Sequence, residues 1–298
     1  ISKAVEKAAK GDTVILKEGT YSGTKNREIN FTNDSPEIVI KSESGPEKTI
    51  LDGGGSGEIE IFEFTDSGNM NQTLDSTFQV IGIQFTRATK SAIYMRNDNF
   101  HDNTDYLQPK FVNCIFYNNR NNANHAGGGA VMVDDSSPIF ESCVFDSNYV
   151  TGSGGAILIQ ADHATGKRTH IRSSTFKNNM VHLPSNTNSN DTWNTEGSAI
   201  KINGNATATI VDCIIENNKS LQENQSPQQG TGAISTESNW HGQSSESEHI
   251  VIIDRCIIRN NTVQSNGNTY GAGIHIQKPA RITNNLIVGN KMVNNNQQ

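Results

Sequence analysis

The segment Phe140-Glu-Ser-Cys-Val-Phe-Asp-Ser-Asn148 is the strongest indication of the fold, because close copies of it recur along most of the chain. Six copies align, at 111–119, 140–148, 171–179, 210–218, 253–261 and 282–290. Between them lies a second motif, as in Gly155-Ala-Ile157 and Gly232-Ala-Ile234, which is followed by a short run of alternating polar and apolar residues. Alternation over four or five residues indicates a strand. Short strands that repeat every ~30 residues predict a β-solenoid of about eight to ten coils.

Equivalent residues of a solenoid stack ~4.8 Å apart on successive coils, so each position of the motif predicts a ladder. The first and sixth positions are aromatic or aliphatic and are expected to point inward. The last position is Asn in all six copies, and we expect these amides to satisfy the backbone at a turn and to bond to one another. The fourth position holds all four cysteines, which we predict to be buried free thiols because stacked side chains suit the disulfide torsion poorly.

The composition fits a fold with a small hydrophobic core, and it argues against nucleic-acid binding and against a membrane-spanning segment. Hydrophobic residues make up 33% of the 298 residues and the net charge is −7. No run of Lys or Arg occurs, which argues against a nucleic-acid partner. No apolar stretch approaches the ~20 residues of a membrane span. The chain begins at Ile1 rather than Met, so we expect it to be a piece of a longer polypeptide.

These motifs resemble segments of two groups of known proteins. The segments 11–21 and 49–55, Gly-Asp-Thr-Val-Ile-Leu-Lys-Glu-Gly-Thr-Tyr and Thr-Ile-Leu-Asp-Gly-Gly-Gly, resemble the opening coils of the right-handed parallel β-helix (pectate-lyase-like) superfamily. From residue 91 onward, the paired motifs resemble chlamydial polymorphic outer-membrane proteins and related bacterial surface β-helix proteins. The resemblance implies a single all-β domain over 1–298, a right-handed parallel β-helix with a short N-terminal α-helical cap. We expect the cap at 1–10, opening coils at 11–90, and coils with loop insertions at 91–298.

Candidate ligand-binding residues come from the outward positions and from the insertions. Tyr94, Lys201 and His275 occupy the same outward position after the second motif. Lys201 and His275 are the members of that row that can act as acid or base, and they are predicted roughly 9–10 Å apart with Ser235 between them. Trp193 and Trp240 lie in insertions, where an aromatic ring either stacks on a sugar or packs its loop onto the scaffold.

Calcium is the cofactor that the sequence suggests, and three carboxylates are the candidate ligands. Asp134 and Asp135 close a strand and Asp162 opens a loop one coil away. Calcium takes six to eight oxygen ligands, so these carboxylates supply part of a site. The alternative is that Asp134 and Asp135 form an Asx-turn before Pro138.

The function predicted from these observations is that of a non-catalytic module outside the cell or on its surface. We found no aligned Lys and Arg pair of the kind that acidic-polysaccharide lyases use, so no catalytic residue is predicted. The expected partner is a polysaccharide or a surface protein, with further domains of the same polypeptide, and the expected role is adhesin, scaffold or glycan-binding domain. The alternative, suggested by the opening coils, is a polysaccharide lyase or glycoside hydrolase that acts on acidic polysaccharide.

Overall fold

The computed structural model describes nine stretches of the chain. They are residues 1–66, 73–97, 107–122, 127–162, 168–185, 195–223, 230–237, 250–266 and 268–294. The strands in these stretches form four long sheets, and every pairing between strands is parallel. Each turn of the chain contributes a strand to successive sheets, so the molecule is the predicted right-handed parallel β-helix.

Sheets I and II each contain nine strands, which agrees with the predicted number of coils. Sheet I consists of Thr13–Leu16, Val39–Ser42, Gln79–Ile81, Lys110–Val112, Ile139–Glu141, Thr169–Arg172, Ala208–Val211, Val251–Asp254 and Ala280–Thr283. Sheet II consists of Gly19–Ser22, Thr49–Asp52, Gln84–Thr86, Ile115–Tyr117, Val144–Asp146, Thr175–Lys177, Ile214–Glu216, Ile257–Arg259 and Leu286–Val288.

The other two long sheets complete the coils. Sheet III consists of Arg120–Asn121, Tyr149–Val150, Met180–Leu183, Lys219–Gln222, Thr262–Ser265 and Lys291–Asn294. Sheet IV consists of Ile29–Thr32, Phe62–Thr65, Ile93–Arg96, Val131–Asp134, Ile157–Ala161, Ile200–Gly204, Ile234–Thr236 and Ile274–His275. A small fifth sheet pairs Gly230–Thr231 with Thr269–Tyr270.

The repeated motif turns two corners by placing single residues in the left-handed conformation. Within the copy that begins at Phe140, Ser142 has φ 54° and Ser147 has φ 58°. The first bends the chain between sheets I and II, and the second bends it between sheets II and III. The left-handed residue therefore directly precedes each ladder Asn.

The predicted inward ladders form the core. Phe116 and Phe145 stack with ring centroids 4.6 Å apart, and Phe145 and Phe176 stack at 4.5 Å. Phe111 and Phe140 form a parallel stack at 5.2 Å. The structure also confirms that the cysteines are buried free thiols. Burial raises the pKa of the Cys143 thiol, so this side chain behaves as a small apolar residue.

The asparagine ladder is a continuous chain of buried hydrogen bonds. Asn148 Nδ2 donates to Phe116 O at 2.9 Å and to Asn179 Oδ1 at 2.9 Å. Its own Oδ1 accepts from the backbone N–H of Asn119 at 3.1 Å and from Asn119 Nδ2 at 3.0 Å. The same pattern recurs through Asn218 and Asn261 to Asn290. These residues are therefore part of the scaffold, as predicted, and are not free to bind a ligand.

The N-terminal cap is shorter than the predicted helix over 1–10. The helix covers only Ser2–Val5, and Ile1 makes no side-chain cap. A single turn is all that forms, because short helices are marginal without capping or extensive packing. Ile1, Val5 and Ala8 nevertheless pack against the core and cover the first coil. Among the described residues, no helix has the length and apolar character needed to cross a membrane.

Candidate functional site

The row predicted on sheet IV exists, but its members do not form one site. The strand registers place Tyr94, Met132, Leu158, Lys201, Ser235 and His275 on successive strands. Tyr94 and His275 are five strands apart, which corresponds to ~24 Å along the axis. Lys201 lies two strands from His275, as the sequence predicted.

Lys201 is on the outer side of sheet IV but is not accessible to solvent. Its relative exposure is 2%, and its Nζ contacts Glu196 and lies 2.9 Å from Glu237 Oε2. Burial lowers the pKa of Lys201 and the Glu237 carboxylate raises it. Breaking a buried ion pair by removing one partner is strongly destabilising, so this ammonium holds the scaffold together. The sequence-based expectation that Lys201 faces a ligand did not include the coverage provided by these two carboxylates.

His275 ends the last strand of sheet IV and Lys278 follows three residues later, and both lie near Lys201. His275 is half-buried and its ring stacks on Tyr270 with centroids 5.4 Å apart. Burial, followed by the charge of Lys201, lowers the pKa of His275, and the charge of Glu237 opposes this shift. Lys278 Nζ donates to Gly204 O at 2.9 Å and to Ala206 O, and burial lowers its pKa to about 8. Lys278 therefore stabilises the turn that follows the strand Ile200–Gly204 of sheet IV.

The remaining predicted residues give no assembled site. Asp134 ends a strand, Asp135 is 7% exposed with φ 45°, and Asp162 follows the next strand of sheet IV. Within the described ranges, no group of three His, Cys, Asp or Glu side chains is arranged to hold a metal ion. Calcium binding thus stays a prediction. Trp193 and Trp240 lie outside the described residues.

A group of side chains that the sequence did not indicate lies on the outer face of sheet III. His182 lies between Tyr149 and Glu223: its Nδ1 is 3.4 Å from the Tyr149 hydroxyl, and its Nε2 is 3.2 Å from Glu223 Oε2. We assign the tautomer in which the Tyr149 hydroxyl donates to Nδ1 and the Nε2–H faces the carboxylate. The guanidinium of Arg120 lies 5.4 Å from the centre of the Tyr149 ring.

The electrostatic surroundings of the Tyr149 phenol are mixed. Burial raises the pKa of Tyr149, the charge of Arg120 lowers it, and the charge of Glu223 raises it. A phenol hydrogen-bonded to an imidazole that faces a carboxylate is an arrangement that can move a proton. Sheet III thus carries groups with acid–base chemistry that remain partly accessible, with the His182 side chain 21% exposed and Glu223 45% exposed.

Two of these groups, Arg120 and Tyr149, belong to a row of outward side chains with a net positive charge. The residue that follows each ladder Asn lies on the outer side of sheet III. In the first five strands of this sheet, the residue after it is buried. The row consists of Arg120, Tyr149, Met180, Lys219, Thr262 and Lys291. It contains three cations and no carboxylate, and Lys219 and Lys291 form no ion pair with any described residue. The position after the ladder Asn was the sequence signal for this surface.

On the neighbouring sheets, by contrast, many outward charges are paired within the sheet. Lys110 contacts Glu141 at 2.8 Å on sheet I. On sheet II, Lys177 contacts Asp146 at 3.4 Å and Arg259 contacts Glu216 at 2.7 Å. The unpaired lysines of sheet III therefore make this face the better site for an anionic ligand.

Comparison with known proteins adds little beyond this geometry. No protein-family model matches the chain, and no curated protein matches it significantly. A pectin methylesterase mutant solved with a hexasaccharide is similar over 91% of this chain and 76% of its own, with 13% identity and a TM-score of 0.33. A mutant PL6 family alginate lyase is similar over 88% of this chain and 42% of its own, with 16% identity and a TM-score of 0.26. The sheet topology itself identifies the chain as a parallel β-helix.

Proposed function

We propose that this chain is an extracellular or cell-surface module that binds an acidic polysaccharide along the outer face of sheet III, as an adhesin, scaffold or glycan-binding domain. The observation that carries the proposal is the row with Arg120, Lys219 and Lys291 on a protein whose net charge is −7. A local cation row on an acidic protein attracts anions to that face and leaves the other faces unattractive.

The shape of the row suits an extended polymer. Its six strands span ~24 Å at ~4.8 Å per strand, in a straight line set by the parallel register. Tyr149 and Met180 lie between the cations and offer apolar surface to the faces of sugar rings. The half-buried state of Tyr149, Met180 and Lys219 means that these side chains are held against the sheet and lose little freedom on binding.

Replacing both Lys219 and Lys291 by Gln should weaken binding to a polyuronate by about tenfold, because two exposed ion pairs contribute up to ~1.4 kcal/mol together. The measurement is calorimetric titration against polygalacturonate, alginate, chondroitin and a neutral glucan, at two salt concentrations. Lys41→Gln removes a charge from exposed sheet I surface and is the matched control. Absence of binding to every acidic polymer, or an equal loss with Lys41→Gln, would refute the proposal.

The second candidate is a polysaccharide lyase, and the contacts among Tyr149, His182 and Glu223 favour it. In this reaction the Tyr149 hydroxyl gives its proton to His182, and the Glu223 carboxylate stabilises the imidazolium. The phenolate takes the proton on C5 of a 4-linked uronate, and Arg120 stabilises the charge that develops on the sugar carboxylate. The C4–O bond then breaks with its electron pair on the oxygen, which receives a proton from Tyr149. His182 returns its proton to Tyr149, and the product is a chain end unsaturated between C4 and C5.

The lyase candidate predicts that Tyr149→Phe lowers the rate of unsaturated uronate formation at least ~100-fold, the usual contribution of a general base. Product is followed by its ultraviolet absorbance. Tyr117→Phe is the matched control, because Tyr117 is an exposed tyrosine on sheet II with 43% exposure. If the unaltered chain forms no product from any polyuronate that it binds, the lyase candidate is rejected while the binding proposal stands.

A further inference from the structure

The two carboxylates that contact Lys201 project from backbone that the coils hold in place. The carbonyl oxygen of Glu196 accepts a hydrogen bond from the N–H of Gly154, on the preceding coil, at 2.9 Å. The N–H of Glu237 donates to the carbonyl oxygen of Ile202, the residue after Lys201, at 2.9 Å. The three side chains therefore meet from fixed starting points, and such positioning makes a reaction between two groups effectively unimolecular.

The contact between Lys201 and Glu196 is closed to water. The two side chains are 2% and 3% exposed. Leu158 and Ser235, the neighbours of Lys201 in the outward row of sheet IV, are buried as well. Glu237, in contrast, is 27% exposed. The cluster is thus closed on the side of Glu196 and open to solvent on the side of Glu237.

A dry contact of this kind favours neutral groups over ions. Taking two charges out of water costs several kcal/mol per ion, and mutual attraction offsets this only when the geometry is excellent. Burial lowers the pKa of Lys201, and burial also disfavours the charged form of a carboxyl group. Transfer of one proton from Lys201 Nζ to Glu196 leaves a nucleophilic amine in contact with a carboxylic acid. Condensation of these two groups removes both buried charges and keeps the packed side chains in place.

We propose that Lys201 and Glu196 are joined by an intramolecular amide bond, which forms with Glu237 as the proton carrier. The amine attacks the carboxyl carbon of Glu196, so that a bond forms between Nζ and Cδ. Glu237 Oε2, 2.9 Å from Nζ, accepts a proton from the nitrogen and passes it to the hydroxyl oxygen on that carbon. The bond between Cδ and this oxygen breaks with its electron pair on the oxygen, and one water leaves. No other reactant is consumed.

Ser235 supplies a donor for the oxygen that becomes negative during this step. It is the register partner of Lys201 on the next strand, and it lies on the same side of the sheet as Glu237, two residues later in the chain. Its hydroxyl is buried and has no hydrogen-bond partner among the described residues. A buried donor that is fixed in position before the reaction stabilises a developing oxyanion.

Mass spectrometry of the unmodified chain tests the proposal directly. Under denaturing conditions, its mass should be lower than that of the sequence by one water. After denaturation, trypsin should cut after Lys177 and Lys219 but not after Lys201, because trypsin recognises the cationic side chain that the amide bond removes. Tandem spectra should place the missing water within residues 196–201.

Three variants assign the missing water to this bond. Lys201→Arg keeps the positive charge but cannot condense, so its mass should equal that of its sequence. Glu237→Gln removes the proton carrier, and most of the freshly purified variant should also have its full mass. Lys278→Arg is the matched control, because Lys278 is a neighbouring buried lysine whose Nζ contacts carbonyl oxygens, and this variant should still lack one water.

The possible outcomes are distinct. A full mass of the unmodified chain overturns the proposal, since it is the result expected of an ordinary buried ion pair. A missing water located outside 196–201, or one that persists in Lys201→Arg or in Glu237→Gln, overturns it too. Circular dichroism checks that the variants fold, and the mass and fragments of the unmodified chain are decisive even if a variant does not.

Discussion

A chain with valine at position 155 should lose about 3 kcal/mol or more of folding free energy, the upper range for overpacking in a rigid site. A Cβ atom built on Gly155 lies 2.0 Å from the backbone O of Ser198 on the next coil. The obstacle is backbone, which is held by parallel pairing on both sides, so no side-chain rotation relieves it. The same closeness recurs at Gly129 and Gly232, at 2.2 and 1.9 Å. Glycine at these three positions is thus required for close stacking on the next coil.

The next coil supplies the control for this prediction. Ser198 occupies the equivalent position and already carries a Cβ, and its hydroxyl is buried without a hydrogen-bond partner. Ser198→Ala should therefore change stability by less than ~1 kcal/mol. Urea denaturation followed by circular dichroism compares the two variants. Similar midpoints for Gly155→Val and the unaltered chain would show that the coils can separate locally to admit the side chain.

The fold was predictable because each copy of the motif makes the same contacts with the copies on the neighbouring coils. The motif that begins at Phe140 fixes which residues stack, and stacking accounts for both the aromatic ladder and the asparagine ladder. The backbone conformation of the residues at the corners was harder to predict. The left-handed residues Ser147 and Asn178 precede the ladder Asn, and the sequence of a corner does not reveal which of two adjacent polar residues adopts that conformation. The length of the N-terminal helix was also overestimated, because residues 1–10 show apolar spacing but no side chain caps the start of the helix.

The candidate site was less predictable, because it depends on contacts between coils. Alternation places Lys201 outside the sheet correctly, but it says nothing of Glu196 and Glu237, which cover the ammonium. Tyr149 and His182 are 33 residues apart in sequence and meet only because Tyr149 pairs with Met180. Reading the residue after each ladder Asn as a row would have found Arg120 and Lys219, since the register follows from the motif.

Loss of one rung of the asparagine ladder should be as damaging as a defect in the apolar core. Asn148→Leu removes the acceptor for two buried donors of Asn119 and the donor for Phe116 O. Each buried polar group left without a partner costs about 1–3 kcal/mol, so the expected loss is about 4 kcal/mol.

The location of the damage distinguishes a ladder defect from a general packing fault. A solenoid is stabilised by contacts between neighbouring coils, so the backbone amides of Asn119 and Asn148 should lose hydrogen-exchange protection first. The matched control is Asn30→Leu, because Asn30 is exposed on sheet IV and accepts one hydrogen bond, from Thr65. That substitution should cost less than ~1 kcal/mol. If Asn148→Leu and Asn30→Leu unfold at the same urea concentration, the ladder contributes no stability beyond that of surface amides, and the strands and apolar stacks alone hold the coils together.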